Sequence, residues 1–364
     1  MADTRVSTAL SPTKWDDEFS VEWFQKNPFS AYAGTGENNP IRMKEDFASQ
    51  RGNGVTFEFI TNLKRGTLYD RQPLRGHEEV LGEYGDIASW RMRKKGIAMH
   101  EMDEDLAAID LRKAAKGTLK TWADEDVKWE VIDRLGDVGA NCSVPFASAT
   151  AAEKNSWVSA NSDRVLFGAS KSNYSSTFAT AAGNVDATND KLTTDSVSLL
   201  KRMALMASPR ITPLKVEEKT NRRYFVAFVH PLVFRDFVKS AQTAEINVFM
   251  IEKNEAIFMG GDREWDGVIL HEVDDMPIYS GIGNGGIDVS PVYLMGQEAL
   301  GWCVKTRYKS REQKDDYDQV TGLGMIGKWG MKKLCYSSTY GGSDTTVYGK
   351  QRGLVSGLFA AVGD

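Results

Sequence analysis

Two neighbouring blocks constrain this chain more than anything else in it. Residues 51–99 read as a long, glycine-rich, charged β-hairpin, and residues 103–135 as one helix of about nine turns at 1.5 Å rise per residue. Such a hairpin carries too little apolar surface to be stable alone, so it needs an external surface. An arm of that length set directly before a helix of that length suits a subunit that lays part of itself across a neighbour.

The hairpin reading rests on a period of two. Val55, Phe57 and Phe59 fall on one face and Thr56 and Glu58 on the other. The returning strand is expected to put Ala88, Trp90 and Met92 on one face and Arg91 and Arg93 on the other. Between them lies Asn62 to Asp86, with Gly66, Gly76, Gly82 and Gly85. The first half of this tip is basic (Lys64, Arg65, Arg71, Arg75) and the second acidic (Glu78, Glu79, Glu83, Asp86). That split suits contact between copies. The helix opens on Glu101, Asp103, Glu104 and Asp105, where acidic side chains favour an N-terminus. Leu111, Ala115, Leu119, Trp122, Trp129 and Ile132 form its expected apolar stripe. Gly117 costs about 1 kcal/mol relative to Ala and permits a bend. The helix ends near Leu135, at Gly136.

Residues 1–50 scatter Trp15, Phe19, Val21, Trp23, Phe24, Phe29 and Tyr32 among charges, glycine and proline. The stretch reads as an extended arm that docks elsewhere. Residues 137–192 are rich in Ser, Ala, Thr, Asn and Gly, and read as an irregular, insert-like region around a short strand, Val165–Phe167. A second amphipathic helix is expected over Asp195–Ala207, with Val197, Leu200, Met203 and Ala204 inward. Another opens at His230-Pro231 and runs through Val238. Strands are expected at 211–216, 224–229, 248–250, 257–259, 268–272, 278–279, 287–295 and 300–308, and the last apolar stretch is 325–336. Helices and strands segregate, which makes the class α+β. No internal repeat is visible.

Composition excludes several functions. The net charge is −5, so gripping a phosphate backbone is disfavoured. Cys142, Cys303 and Cys335 are odd in number and far apart, and no CxxC occurs, which argues against a disulfide framework and a zinc site. Met1 to Lys14 has no apolar segment of the signal-peptide kind, and nowhere do about 18 apolar residues run together. The expectation is a chain that is not secreted by a signal peptide, does not span a membrane and, with Met1 in place, loses no propeptide.

Gly281–Gly286 and Gly322–Gly327 both match GxGxxG, but the nucleotide fingerprint needs a strand before and a helix after. Both read better as tight turns. P-loop, GxSxG and HExxH motifs are absent. His271 with Glu272, Asp274 and Asp275 comes nearest to a metal cluster, yet carboxylates there are ordinary solvated turn residues. His230 is expected to hydrogen-bond at its helix start, and Cys303, beside Trp302, to be a small core residue. No catalytic residue, cofactor-binding residue or metal ligand is assigned, and no cofactor is expected.

The blocks in this order resemble the major capsid proteins of tailed bacteriophages, in particular the N-four-like podophage capsid family. The resemblance is carried by Gly52-Asn53-Gly54-Val55-Thr56-Phe57, Leu74-Arg75-Gly76-His77-Glu78-Glu79 and Leu111-Arg112-Lys113-Ala114-Ala115 with Leu119 and Trp122. Ile211-Thr212-Pro213, Tyr224-Phe225-Val226-Ala227-Phe228-Val229-His230-Pro231 and Gly322–Gly327 extend it. It implies the Hong Kong 97-like fold: an N-terminal arm (1–50), an extended E-loop (51–99), a P-domain spine helix (100–140), the insert-like region (141–192), an A-domain (193–300), and a return to the P-domain sheet with a C-terminal arm (301–364). It further implies self-assembly into hexamers and pentamers of an icosahedral head enclosing double-stranded DNA. Implied partners are other copies of the chain, a portal protein at one vertex, a separate scaffolding protein, a decoration or cement protein, and packaged DNA touched weakly and non-specifically. The implied place is the virion, after assembly in the host bacterial cytoplasm. Inter-subunit contacts are expected from Lys64, Arg65, Arg71, Arg75, Glu78, Glu79, Trp15, Trp23 and Phe24. Two other readings stay open: a cytoplasmic enzyme with a glycine-rich ligand loop, and another phage structural subunit such as a tube or decoration protein.

Overall fold

The computed structural model describes residues 27–45, 52–60, 67–71, 75, 77–78, 82–106, 111–215, 223–243, 263–317, 319–337 and 345–363. Their strands are β1 (Ala33–Gly34), β2 (Ile41–Lys44), β3 (Gly54–Ile60), β4 (Glu83–Ser89), β5 (Arg91–His100), β6 (Val165–Phe167), β7 (Leu214–Lys215), β8 (Arg223–Val229), β9 (Arg263–Trp265), β10 (Val268–Glu272), β11 (Val289–Met295), β12 (Leu300–Asp315), β13 (Val320–Lys333) and β14 (Leu354–Ala360). The α-helices are α1 (Glu101–Leu106), α2 (Leu111–Leu135), α3 (Ala151–Ala160), α4 (Phe178–Gly183), α5 (Thr194–Met206) and α6 (Pro231–Thr243).

One sheet runs β1-β2-β12-β13-β5, and a second runs β6-β14-β11-β8-β10-β9 with β7 on β8. The β3–β4 hairpin stands apart as a two-stranded ribbon. Helix α2 packs along the first sheet. Ala115, Leu119, Ala123, Val127, Val131 and Leu135 step by four along it and bury against Leu323, Met325 and Trp329 of β13. The second sheet is covered on both faces, as its continuous apolar strands require. Val226 and Phe228 of β8 share the α2 core, while Phe225, Ala227 and Val229 face the core beneath α5 and α6.

Several expectations change. The expected α2 stripe included Trp129, but Trp129 is 44% exposed. It lies two residues past the buried Val127, about 200° around the helix, so the small Ala and Val side chains form the true seam. The returning hairpin strand stops at Ser89. From Arg91 the chain leaves β3 and pairs instead with β13. Ala88 is therefore buried on the hairpin while Met92 is exposed on the sheet. Gly322–Gly327 is no tight turn: it lies inside β13, paired on both sides with β12 and β5. Gly281–Gly286 does turn, with positive φ at Gly281, Gly285 and Gly286.

Residues 137–192 are not irregular. They hold α3 and α4, and β6 matches the expected Val165–Phe167 and adds in parallel to β14. Thr150 and Glu153 close a reciprocal capping box at the start of α3. Trp157, Phe178, Ala181 and Phe167 bury there with Leu358 of β14. Helix α5 falls within one residue of its expected bounds, and its four inward residues are buried. Strand β7 is shorter than expected, and Ile278–Tyr279 contributes only an isolated bridge, Tyr279 to Val289. The strands expected at 248–250 and 257–259 lie outside the described residues.

Candidate assembly interface

The hairpin is fixed at its root by its own subunit. Phe57, Phe59, Tyr84 and Ala88 bury against Cys303, Leu334, Tyr336 and Val347. Asp86, on β4, takes an ion pair from Lys332 and hydrogen bonds from the backbone N–H groups of Cys335 at 3.2 Å and Ile87 at 2.9 Å. Burial raises its carboxyl above the usual range, against the pull of Lys332. Lys44 donates to the carbonyl of Thr56 at 2.8 Å and sits 4.9 Å from the Phe57 ring centre.

A second clamp joins four segments. Glu298, buried at the turn into β12, accepts from Arg42 of β2 and from Arg352 ahead of β14. The Arg352 guanidinium in turn lies 3.9 Å from the Phe59 ring centre. One buried carboxylate with two guanidiniums thus links β2, the β11–β12 turn, the segment before β14 and the hairpin root. The long separation of these partners in sequence hid this site, although Arg, Glu and Arg are the residue types that buried bidentate pairing favours.

Residues of the expected outer arm divide. Phe29 and Tyr32 dock on this chain itself: the Phe29 and Phe228 rings are 4.5 Å apart, and the Tyr32 hydroxyl hydrogen-bonds His271. Trp15, Trp23, Phe24, Lys64, Arg65 and Glu79 lie outside the described residues. Arg71, Arg75 and Glu78 are described and exposed, as are Leu68 and Tyr69 beside them. The structure thus brings Asp86 to Lys332 within the subunit and leaves the described tip positions outward.

The chemical alternatives find little support in the geometry. His271 is buried between Tyr32 and Phe228, and among the described residues no group of three or more His, Cys, Asp or Glu is placed to hold a metal. His230 Nδ1 accepts from the Leu232 N–H at 3.2 Å at the start of α6, as expected. Cys303 is a buried core residue whose thiol is pushed up to about 11 by burial. Among the described residues no helix is long and apolar enough to cross a membrane.

The phage capsid protein family matches residues 3–355. This chain belongs to that family. The cyanophage Pam1 capsid protein is similar over 100% of both chains, at 29% identity and a TM-score of 0.81. The capsid protein of Ralstonia phage GP4 is 20% identical with a TM-score of 0.71, covering 92% of this chain and 91% of its own. The head protein of Helicobacter pylori bacteriophage KHP40 shares the fold at 13% identity and a TM-score of 0.66, over 93% and 91%. Comparison with curated protein sequences returns no match. This α+β chain is a major capsid protein of a phage head and a virion component.

Proposed function

We propose that copies of this capsid protein form hexamers and pentamers that close into an icosahedral shell around double-stranded DNA. In this reading 1–50 is the N-terminal arm, 51–99 the E-loop, whose returning chain passes into the P-domain sheet as β5, and 100–140 the P-domain spine. Residues 193–300 form the A-domain, 141–192 extend its sheet, and 301–364 return to the P-domain sheet as β12 and β13 and then rejoin the A-domain sheet as β14. A portal protein occupies one vertex, a separate scaffolding protein guides closure, and a decoration or cement protein can sit on the finished shell. Packaged DNA is touched weakly and non-specifically, assembly takes place in the host bacterial cytoplasm, and the chain acts structurally with no catalytic step.

The observation carrying this reading is the hairpin, held at its root by Asp86 and Lys332 while Leu68 to Arg71, Arg75 and Glu78 face outward. Its tip meets an adjacent copy through Lys64, Arg65, Arg71, Arg75, Glu78 and Glu79, and Trp15, Trp23 and Phe24 anchor the arm. Electron microscopy of the purified chain, alone and with its scaffold, tests the proposal. Closed shells or hexameric and pentameric rings are expected. A monodisperse particle of a few subunits in both preparations would overturn it.

A further inference from the structure

The three-stranded part of the first sheet has two unlike faces. Residues paired directly across antiparallel strands share a face, so the register sorts them. Leu323, Met325 and Trp329 point to α2, and carboxylates meet cations on that side: Arg93 bonds Asp126 and Glu130, and Arg112 pairs with Glu312. On the opposite face Lys309, Ile326 and Lys94 form one row across β12, β13 and β5. The next rows are Arg311, Gly324 and Gly96 on one side, and Thr306, Lys328 and Met92 on the other. At about 4.8 Å between strands and about 7 Å between alternate residues, the backbone positions of four cations lie within about 9 Å of that of Ile326.

None of Lys94, Lys309, Arg311 and Lys328 makes an ion pair or side-chain hydrogen bond with another described residue. Lys94, Lys309 and Arg311 are exposed, Lys328 is half-buried, and Met92 beside them is 53% exposed. The glycine row leaves the backbone open to close approach. The remaining titratable groups of this face, Asp315 and His100, lie at its far end across Val320.

The complement is on the same chain. Helix α1, Glu-Met-Asp-Glu-Asp-Leu, carries Glu101 and Asp103 exposed and unpaired among the described residues, flanked by Met102 at 66% and Leu106 at 75% exposure. Of the hairpin acids, Asp86 is held by Lys332 and Glu78 already has an interaction, while Glu58 and Glu83, exposed beside Ile60, are the competing partners that the test below separates. We propose that α1 of one copy docks on the Lys94–Lys309–Arg311–Lys328 face of a second copy, its carboxylates on the cations and its Met102 and Leu106 on Met92 and Ile326. Donor and acceptor are different patches, so the contact is heterologous and propagates around a ring until it closes. The inference rests on the chain being a self-assembling shell subunit.

Zero-length carbodiimide cross-linking of assembled wild-type particles, read by mass spectrometry, tests it without substitution. Isopeptides joining Lys94, Lys309 or Lys328 to Glu101 or Asp103 of another copy are expected. Cross-links to hairpin carboxylates instead, or none from these lysines, would overturn it. In parallel, K94E/R311E is expected to cut assembly at least about tenfold, since like charges then meet, while its circular dichroism stays native. Adding E101K/D103K restores assembly. A K94E/R311E chain that assembles like wild type, or one rescued by E83K rather than by E101K/D103K, refutes the docking while leaving the shell reading intact. A wild-type chain that forms no ring or shell refutes both.

Discussion

Asp86 and Lys332 form an ion pair across the root of the hairpin, joining β4 to β13. The Asp86 side chain is almost fully buried and Lys332 mostly so. Removing one partner leaves the other charge poorly solvated, which typically costs about 3–5 kcal/mol. Asp86→Ala is therefore expected to lower subunit stability by about 3 kcal/mol in urea denaturation, toward the low end because Lys332 keeps some solvent. A double-mutant cycle with Lys332→Met should recover part of that loss; strictly additive effects would argue against the pairing.

Two tryptophans of the same core region should behave oppositely. Trp329 is fully buried between Trp302, Tyr308 and the Arg93 guanidinium, whereas Trp129 lies on the outer side of α2. Trp329→Ala is expected to cost about 3–5 kcal/mol. Trp129→Ala should stay within about 0.5 kcal/mol, as surface changes do. Thermal unfolding of the two variants side by side checks the contrast.

Glycines in β13 are not equivalent. A Cβ on Gly330 would lie 2.1 Å from the backbone oxygen of Ser89, where the hairpin meets the sheet, whereas one on Gly324 meets nothing nearer than 3.7 Å. Gly330→Ala should force the two backbones apart and sharply reduce soluble, folded protein. Gly324→Ala should leave stability equal or slightly raised, because glycine in a strand interior carries an entropic cost of about 0.5–1 kcal/mol.

Asp137, just beyond α2, gives the chain a pH dependence. Burial pushes its carboxyl up to about 6, despite Arg134 at 2.8 Å and the nearby Lys333. The native state then holds a proton that the unfolded chain releases near 3.8. Its contribution favours the fold fully below that value and is lost as pH rises toward 6, a span of about 3 kcal/mol. Asp137→Asn should flatten the stability profile between pH 4 and 6. Denaturant midpoints of both proteins across that range measure it, and parallel profiles would rule the assignment out.

Patterns confined to one element were legible in the sequence. Short apolar runs located β6 and β10 and came within two residues of the bounds of β8 and β11, and the amphipathic period placed α5. Thr150-x-x-Glu153 signals the start of α3, but the serine- and alanine-rich setting around it read as irregular. Trp129 lies seven residues after Trp122, a spacing that fits an apolar stripe, yet Ala123, Val127 and Val131 carry the seam because small residues let helix and sheet approach closely. The switch at Trp90, where its N–H bonds the Asn53 carbonyl before the chain joins β13, depends on strands far away in sequence. So does Glu298, whose arginine partners lie 256 and 54 positions from it. Of the expected contact residues, Arg71, Arg75 and Glu78 are outward, which agrees with their charge and the glycines around them.

The place of β14 bears on timing. It lies between β6 and β11, hydrogen-bonded on both sides and buried along its whole length. On the ribosome every other strand of that sheet emerges earlier, so the slot between β6 and β11 stays empty until residues 354–360 leave the exit tunnel. A nascent chain therefore cannot present a finished subunit surface while most of it is already outside. Closure of that sheet thus waits on its last-made strand, which ties the folding of residues 165–295 to residues 354–360.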